Sequence, residues 1–173
     1  MSLSAKSVLI FAAPYYEEME LWYPKIRLEE EGARTVVAGV GEKSYTGKRG
    51  SYPVTVDVHV DQVEAREFDG LVIPGGYAPD ILRRYQKVLS LTREIFQAGK
   101  PVAFICHAGW VPISAGILKG RRGTSVGAIK DDLVNAGMIW EDSPVVVDGN
   151  LISSRTPADL GHFMKALIAQ LRR

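Results

Sequence analysis

Val102-Ala-Phe-Ile-Cys-His-Ala-Gly-Trp110 carries the chain's only cysteine at the point where a short apolar run gives way to a helical pattern. A continuous apolar run bounded by turn signals marks a strand buried on both faces, as in a parallel sheet. Ala108 to Leu118 then reads as a helix, with Pro112 near its start. Strand, nucleophile-type residue, sharp turn and helix follow in the order of a nucleophile elbow, with cysteine in place of serine. Such a turn lifts Cys106 clear of the sheet and sets it beside a helix N-terminus, where free N–H groups and partial positive charge favour a thiolate. A free thiol is only about 3% ionised at pH 7, so the elbow predicts a Cys106 pKa well below the free-thiol value of about 8.5. The competing reading makes Cys106 a small core residue that merely ends a buried strand.

The same alternation extends outward in both directions. Ser7 to Ala12, Arg34 to Gly39 and Asp69 to Pro74 read as strands, while Glu18 to Glu31 and Ala78 to Ala98 read as helices. The first helix has an imperfect apolar stripe of Met19, Leu21, Trp22, Ile26 and Leu28 and stops at Gly32. Tyr45 to Val60, with Gly47, Gly50 and Pro53, reads as a turn or hairpin on the sheet margin. Beyond the elbow come a short helix over Ile129 to Ala136 and a hairpin over Pro144 to Ser154, turning at Asp148-Gly149-Asn150. A terminal helix over Pro157 to Leu171 follows Thr156 as candidate cap. Strands alternating with helices predict a single α/β domain over residues 1–173, with a mostly parallel sheet covered on both faces.

Ligands of open parallel sheets sit outside the carboxyl ends of the strands. Three such ends are unusual: Ala13-Pro-Tyr-Tyr-Glu-Glu-Met-Glu20, Pro74-Gly-Gly-Tyr-Ala-Pro-Asp80 and Cys106-His-Ala-Gly-Trp110. They are expected to converge on one crevice. Gly75 and Gly76 offer backbone N–H groups that, with the N–H of His107, make an oxyanion hole, unless Gly-Gly is simply a tight strand exit. Among Glu17, Glu18 and Glu20, helix spacing turns one inwards, and a carboxyl beside a thiolate works when it keeps its proton and donates it to the sulfur. His107 is either the general base, with Asp80 as orienting carboxylate, or a residue that only shapes the turn. His59 and His162 are read as structural or surface residues.

Composition narrows the function further. Twenty-one Lys and Arg against twenty Asp and Glu leave a formal charge of +1, which does not suit a nucleic-acid partner. The basic pairs Lys48-Arg49, Arg83-Arg84, Arg121-Arg122 and Arg172-Arg173 read as solvated surface charge. No apolar run reaches membrane-spanning length and no signal peptide is read. One cysteine excludes an internal disulfide and paired-cysteine zinc sites, and suits a reducing cytoplasm. Phosphate-loop and dinucleotide fingerprints are absent, and three histidines without metal spacing suggest neither metal nor cofactor.

Taken together, these segments resemble the PfpI family, the intracellular protease/amidase branch of the ThiJ/PfpI superfamily. The resemblance runs from about Val8 to Leu171. It is carried by Glu17-Glu-Met-Glu-Leu-Trp-Tyr-Pro24, Tyr45-Thr-Gly-Lys48, Val72-Ile-Pro-Gly-Gly76, Ala103-Phe-Ile-Cys-His107, Gly123-Thr-Ser125, Ile129 to Gly137 and Val147-Asp-Gly-Asn150, in the family order. It implies a flavodoxin-like three-layer sandwich with Cys106 on the elbow, Glu20 as the protonated carboxyl touching its sulfur, and His107 in a catalytic dyad. It further implies that Asp80 stands where family members supply a glutamate to the neighbouring subunit's site, and that the protein is a homodimer, some members pairing dimers into hexamers. Asp80 is one methylene shorter than that glutamate, and Val126 stands where the protease branch carries a tyrosine.

Three functions are consistent with these residues. The first is a cofactor-free thiol enzyme acting on small aldehydes or early glycation adducts of proteins, of glyoxalase or deglycase type. The second is a cysteine peptidase or amidase using Cys106 and His107, with Asp80 from a neighbouring subunit. The third is a stress protein in which Cys106 oxidation acts as a redox signal.

Overall fold

A computed structural model describes residues 2–173. The chain opens with β1 (Ser7–Ala12), α1 (Glu18–Glu30) and β2 (Arg34–Gly39). A hairpin of β3 (Ser44–Tyr45) and β4 (Val54–Thr55) stands apart from the main sheet, and β5 (Val58–His59) returns to its edge beside β2. The second half runs β6 (Gly70–Ile73), α2 (Ala78–Leu82), α3 (Gln86–Gln97), β7 (Val102–Ile105), α4 (Trp110–Ala115), β8 (Arg122–Gly123), α5 (Lys130–Asn135), β9 (Ile139–Trp140), β10 (Val145–Asp148), β11 (Leu151–Ser154) and α6 (Leu160–Leu171).

Seven strands form the main sheet in the order β10-β11-β7-β6-β1-β2-β5, parallel throughout except for the β10–β11 hairpin. Every residue of β6 and β7 is buried, as is β1 after Ser7, which is why these strands read as unbroken apolar runs. α1 packs with α6, and α3 packs with α4 against β6 and β7. The result is a flavodoxin-like α/β sandwich. Phe11, Phe104 and Phe163 lie fully buried in its core, and each contributes roughly 1.5–3 kcal/mol through burial.

The strand order reverses at β1, since β2 lies on one side of it and β6 on the other. Crevices of open α/β sheets form at such a reversal. Register makes the convergence specific. Ile73 pairs with Phe104 and Ile10 with Val72, so continuing each strand brings Ala13, Gly75 and Cys106 to one level.

Several expected elements are drawn differently in the structure. The long helix over Ala78 to Ala98 breaks between Leu82 and Gln86, where Arg84 and Tyr85 N–H groups reach back only three residues and Tyr85 is extended. Thr156 holds the cap position, but its side chain caps nothing, and a short 3₁₀ turn over Pro157–Asp159 precedes α6. The imperfect stripe of α1 divides between two faces: Leu21 and Leu28 are buried, while Met19 and Ile26 are exposed. β8 and β9, two residues each, were not expected, and no apolar run that short carries a pattern. No helix among the described residues is long and apolar enough to cross a membrane.

Candidate active site

The elbow is built into the backbone of the nucleophile itself. Cys106 leaves β7 with φ of 62°, a left-handed conformation costing a non-glycine residue roughly 1–2 kcal/mol. Tyr15, on the loop opposite, shares that conformation. Between them, the Gly75-Gly76 turn tolerates no side chain. A Cβ on Gly76 would sit 2.5 Å from the Glu17 nitrogen and the Tyr15 oxygen; one on Gly75 would sit 2.5 Å from Glu20 Oε2 and 2.8 Å from the Cys106 Cβ. The loops are stitched together by Glu17 N–H to the Gly75 carbonyl and Tyr77 N–H to the Tyr15 carbonyl. The two glycines are therefore required by close approach, not only by the turn.

Glu20 is fully buried in the first turn of α1. Its Oε2 accepts the Gly75 N–H at 2.8 Å, while Oε1 is buried without a well-aligned partner. Burial pushes this carboxyl up to about 8, and the Cys106 thiol is close enough to act on it as a hydrogen-bonding group. A protonated Glu20 places an O–H where an orphaned acceptor would otherwise stand. Burial, and after it the negative charge on Glu20, push the Cys106 thiol up to about 12, against the pull of N–H donors from His107 and Gly76 and of the Lys48 ammonium.

This corrects the expectation of a thiol well below its free value. The helix after the elbow is only six residues long and is preceded by a 3₁₀ turn over Cys106–Gly109, so it offers little dipole. Burial outweighs it. Glu20 and Cys106 are not both charged at contact, so they titrate as one unit, and the thiolate belongs to the form in which Glu20 keeps the proton.

His107 meets Cys106 although the two are adjacent in sequence: Sγ lies 3.2 Å from Nδ1. Burial and the Lys48 charge lower the imidazole's pKa and keep it neutral at pH 7. Its ring stacks edge-on against Trp110, whose indole N–H is held at 2.8 Å by Asp132. The imidazole is thus fixed as well as near.

Other expected site residues are placed differently. The Gly75 N–H is taken by Glu20, so the donors that remain for an oxyanion are those of Gly76 and His107, both now directed at the sulfur. Asp80 pairs with Arg84 on the same helix and makes no hydrogen bond or ion pair with His107 within this chain. Two of the three acidic residues turn inwards, not one: Glu17 is buried beside Glu20. It sits at the cap position, before helical periodicity begins, so spacing does not govern its direction.

The partner of Glu17 is a residue that sequence reasoning assigned to the solvent. Lys48 Nζ lies 2.5 Å from Glu17 Oε2, and the Lys48 N–H donates to the Tyr16 carbonyl. A Cβ on neighbouring Gly47 would strike Glu18, whose Oε1 accepts the Arg49 N–H. The signal was the small residue in Thr46-Gly-Lys48, which lets the loop lie flat on the start of α1. Arg83 is likewise not free: it donates to Ser114 Oγ at 2.9 Å and lies over the Trp110 ring. His59 caps the 3₁₀ turn over Val60–Gln62, a structural role.

Comparison with known proteins matches this arrangement to relatives of full length. A deglycase of Thermococcus kodakarensis is 50% identical over 95% of this chain and 99% of its own. The protein/nucleic acid deglycase 2 of Escherichia coli is 36% identical over 96% and 98%, and a putative cysteine protease of Bacillus subtilis 35% over 97% and 99%. Among solved structures, DJ-1beta of Drosophila melanogaster superposes with a TM-score of 0.89 at 32% identity, covering 100% of this chain and 92% of that one. A two-domain protein of Anabaena variabilis, with DJ-1/ThiJ/PfpI-like and ferritin-like domains, gives 0.94 at 39% identity over 96% of this chain and 48% of that one. The DJ-1/PfpI family model matches residues 6–170, and the chain belongs to the DJ-1/PfpI family.

Proposed function

We propose that this protein is a cofactor-independent cysteine enzyme of deglycase type, acting on small reactive aldehydes and on early glycation adducts they form with proteins. The observation that carries the reading is a reactive-site thiol only 8% exposed, in contact with a protonated carboxyl and a neutral imidazole. A two- or three-carbon carbonyl reaches such a sulfur without unfolding, whereas a peptide strand needs an open groove. The names of the Thermococcus kodakarensis and Escherichia coli relatives support the same reading.

In this reading Sγ adds to the aldehyde carbon of methylglyoxal, and the carbonyl oxygen, held by the Gly76 and His107 N–H groups, takes a proton from Glu20. His107 then moves the proton on the hemithioacetal carbon to the adjacent ketone carbon, which converts the adduct to a thioester without any external oxidant. Water cleaves the thioester to a 2-hydroxy acid and restores the thiol. With an aminocarbinol adduct, the same attack expels the amine.

A cysteine peptidase is favoured by one observation, the 3.2 Å Sγ–Nδ1 contact, and by the name of the Bacillus subtilis relative. It needs an orienting acid for His107, which this chain does not present from its own Asp80. The exposed Met19, Tyr23, Ile26 and Tyr52 around a groove of about 500 Å³ support a homo-oligomer, in which a neighbour's Asp80 would be available. The test compares hydrolysis of a methylglyoxal adduct of an acetylated arginine with cleavage of a peptide amide. We expect turnover of the adduct alone, lost by at least about a thousandfold in Cys106→Ala. Amide cleavage with no adduct turnover would reverse the assignment.

A further inference from the structure

His107 meets the sulfur of its immediate neighbour, although consecutive side chains on a turn ordinarily diverge. What stands behind the imidazole is Trp110. The turn over Cys106–Gly109 is 3₁₀, and residues three apart eclipse in that helix, so spacing alone sets position 110 over position 107. The two rings meet edge-on with centroids 5.4 Å apart and planes at 60°, inside the range of a favourable aromatic pair. The indole is itself held from two further elements. Its N–H donates to Asp132 Oδ2 on α5 at 2.8 Å. The Arg83 guanidinium, just after α2, lies over the ring at 5.8 Å from its centroid, and is fixed in turn by Ser114 Oγ on α4 at 2.9 Å. Contacts thus run without a gap from the exposed Asp132 carboxylate through indole and imidazole to the sulfur, ending on the 3.2 Å Sγ–Nδ1 approach.

We propose that Trp110 and Asp132 are positioning residues for Cys106 and His107: Asp132 anchors the indole, and the indole edge holds the imidazole against the sulfur. The proposal rests on Cys106 and His107 being the reacting pair, and it adds the group that orients the base. A nucleophile and its base need such a third group, which in a serine triad is an acid. Asp80 does not fill that place within this chain, since it is paired with Arg84. An aromatic edge differs from an acid in one chemical respect. It fixes the direction of the ring without bringing a negative charge to it, so it does not favour the imidazolium. A base held this way stays neutral and ready to accept a proton, in keeping with the lowered His107 pKa. The Asp132 carboxylate meets the indole N–H, not the imidazole, and among the described residues it makes that hydrogen bond and no ion pair.

Because Asp132 is exposed, Asp132→Ala removes the anchor without opening the core. It is compared with Asp132→Asn, whose amide oxygen still accepts the indole N–H, and with Trp110→Leu, which removes the ring. Thermal melting reports whether each variant is folded, and the two Asp132 variants carry the test if Trp110→Leu is not. Three quantities are read: through-space NMR contacts between the Trp110 indole and the His107 ring, alkylation of the sole thiol by iodoacetamide at pH 7, and kcat and KM on a methylglyoxal adduct. In Asp132→Ala we expect the ring contacts to weaken and alkylation to slow by about tenfold, with kcat falling by a similar factor and KM unchanged. Asp132→Asn should keep the contacts and most of both rates, and Trp110→Leu should be at least as slow as Asp132→Ala. A folded Asp132→Ala variant that loses the ring contacts yet alkylates at the wild-type rate overturns the proposal. So do ring contacts that survive in Asp132→Ala, and so does an Asp132→Asn variant as slow as Asp132→Ala. The NMR and alkylation readings need no turnover, so wild-type protein inert toward the adduct would sink the deglycase reading and leave this one standing.

Discussion

The two ends of the parallel sheet are built on opposite terms. At the amino end, a hollow of about 480 Å³ is lined by Lys6, Asp69, Lys100, Gln170 and Arg173. Its polar groups are matched mostly at the surface: Lys6 with Asp69 at 3.8 Å, Asn150 with the Phe96 and Lys100 carbonyls, Gln170 with the Gly149 carbonyl. Its left-handed residues are glycines, and a Cβ on Gly99 would meet nothing within 4 Å. At the carboxyl end a groove of about 500 Å³ opens beside Glu17 and Glu18, but volume is not what sets the site apart. Instead there are a left-handed cysteine, a left-handed tyrosine, two glycines with no room for a methyl, and two buried carboxyls three residues apart. The difference teaches that the site is marked by concentrated strain and desolvated charge, whereas a hollow of ordinary volume marks only where helices and turns fail to meet.

The largest expected contrast between the ends is in pH dependence. Glu20 titrates near 4.5 in the unfolded chain and at about 8 in the fold. Between those values the folded state holds a proton that the unfolded state has lost. Its contribution to stability is therefore full below about 4.5, falls as pH rises and levels off above about 8, at up to roughly 1.4 kcal/mol per pH unit. Glu20→Gln should flatten this slope and leave the variant more stable than wild type at pH 8, by on the order of a few kcal/mol. Urea denaturation at a series of pH values checks it; a wild-type slope retained in Glu20→Gln would remove the carboxyl from the account.

The next contrast is steric. Gly75→Ala forces a methyl against Glu20 and the Cys106 Cβ, and we expect a loss of about 3 kcal/mol or more together with loss of thiol reactivity. Gly99→Ala, at φ of 74° in open space, should cost only about 1–2 kcal/mol and leave alkylation of Cys106 unchanged. Similar losses at both positions would mean that the close approach at Gly75 is relieved elsewhere. Smallest of all is Lys6→Met, which removes a half-exposed ion pair. It should change stability by less than about 1 kcal/mol and leave the pH slope set by Glu20 intact.

How much of this could be read from residue order depends on what organised each feature. β1, β6 and β7 were legible because burial on both faces leaves an uninterrupted apolar run, and Cys106 was legible because it ends one such run alone. The convergence of the three loops followed from the sheet rule and is fixed by the register of Ala13, Gly75 and Cys106. Glu20 came through family likeness, whereas the inward turn of Glu17 was hidden because a cap residue escapes helical periodicity. Lys48 was unreadable for a different reason: its partner lies 31 positions away and no local pattern distinguishes a clamped lysine from a solvated one. The raised thiol was missed because elbow and dipole are local, while desolvation is a property of everything packed around them. The break of the helix before Gln86 has no glycine or proline to announce it.

The conformation of Cys106 also sets two kinds of selection against each other. Glycine is the residue that relaxes a left-handed turn without a steric penalty, and at position 106 it would delete the only thiol in the chain. A laboratory screen that rewards heat tolerance alone should therefore drift toward an inert protein at this codon, and any gain it records there is a measure of how much the elbow was holding in reserve. A search for a hardier catalyst has to mask position 106 and look for its gains at the quiet end of the sheet.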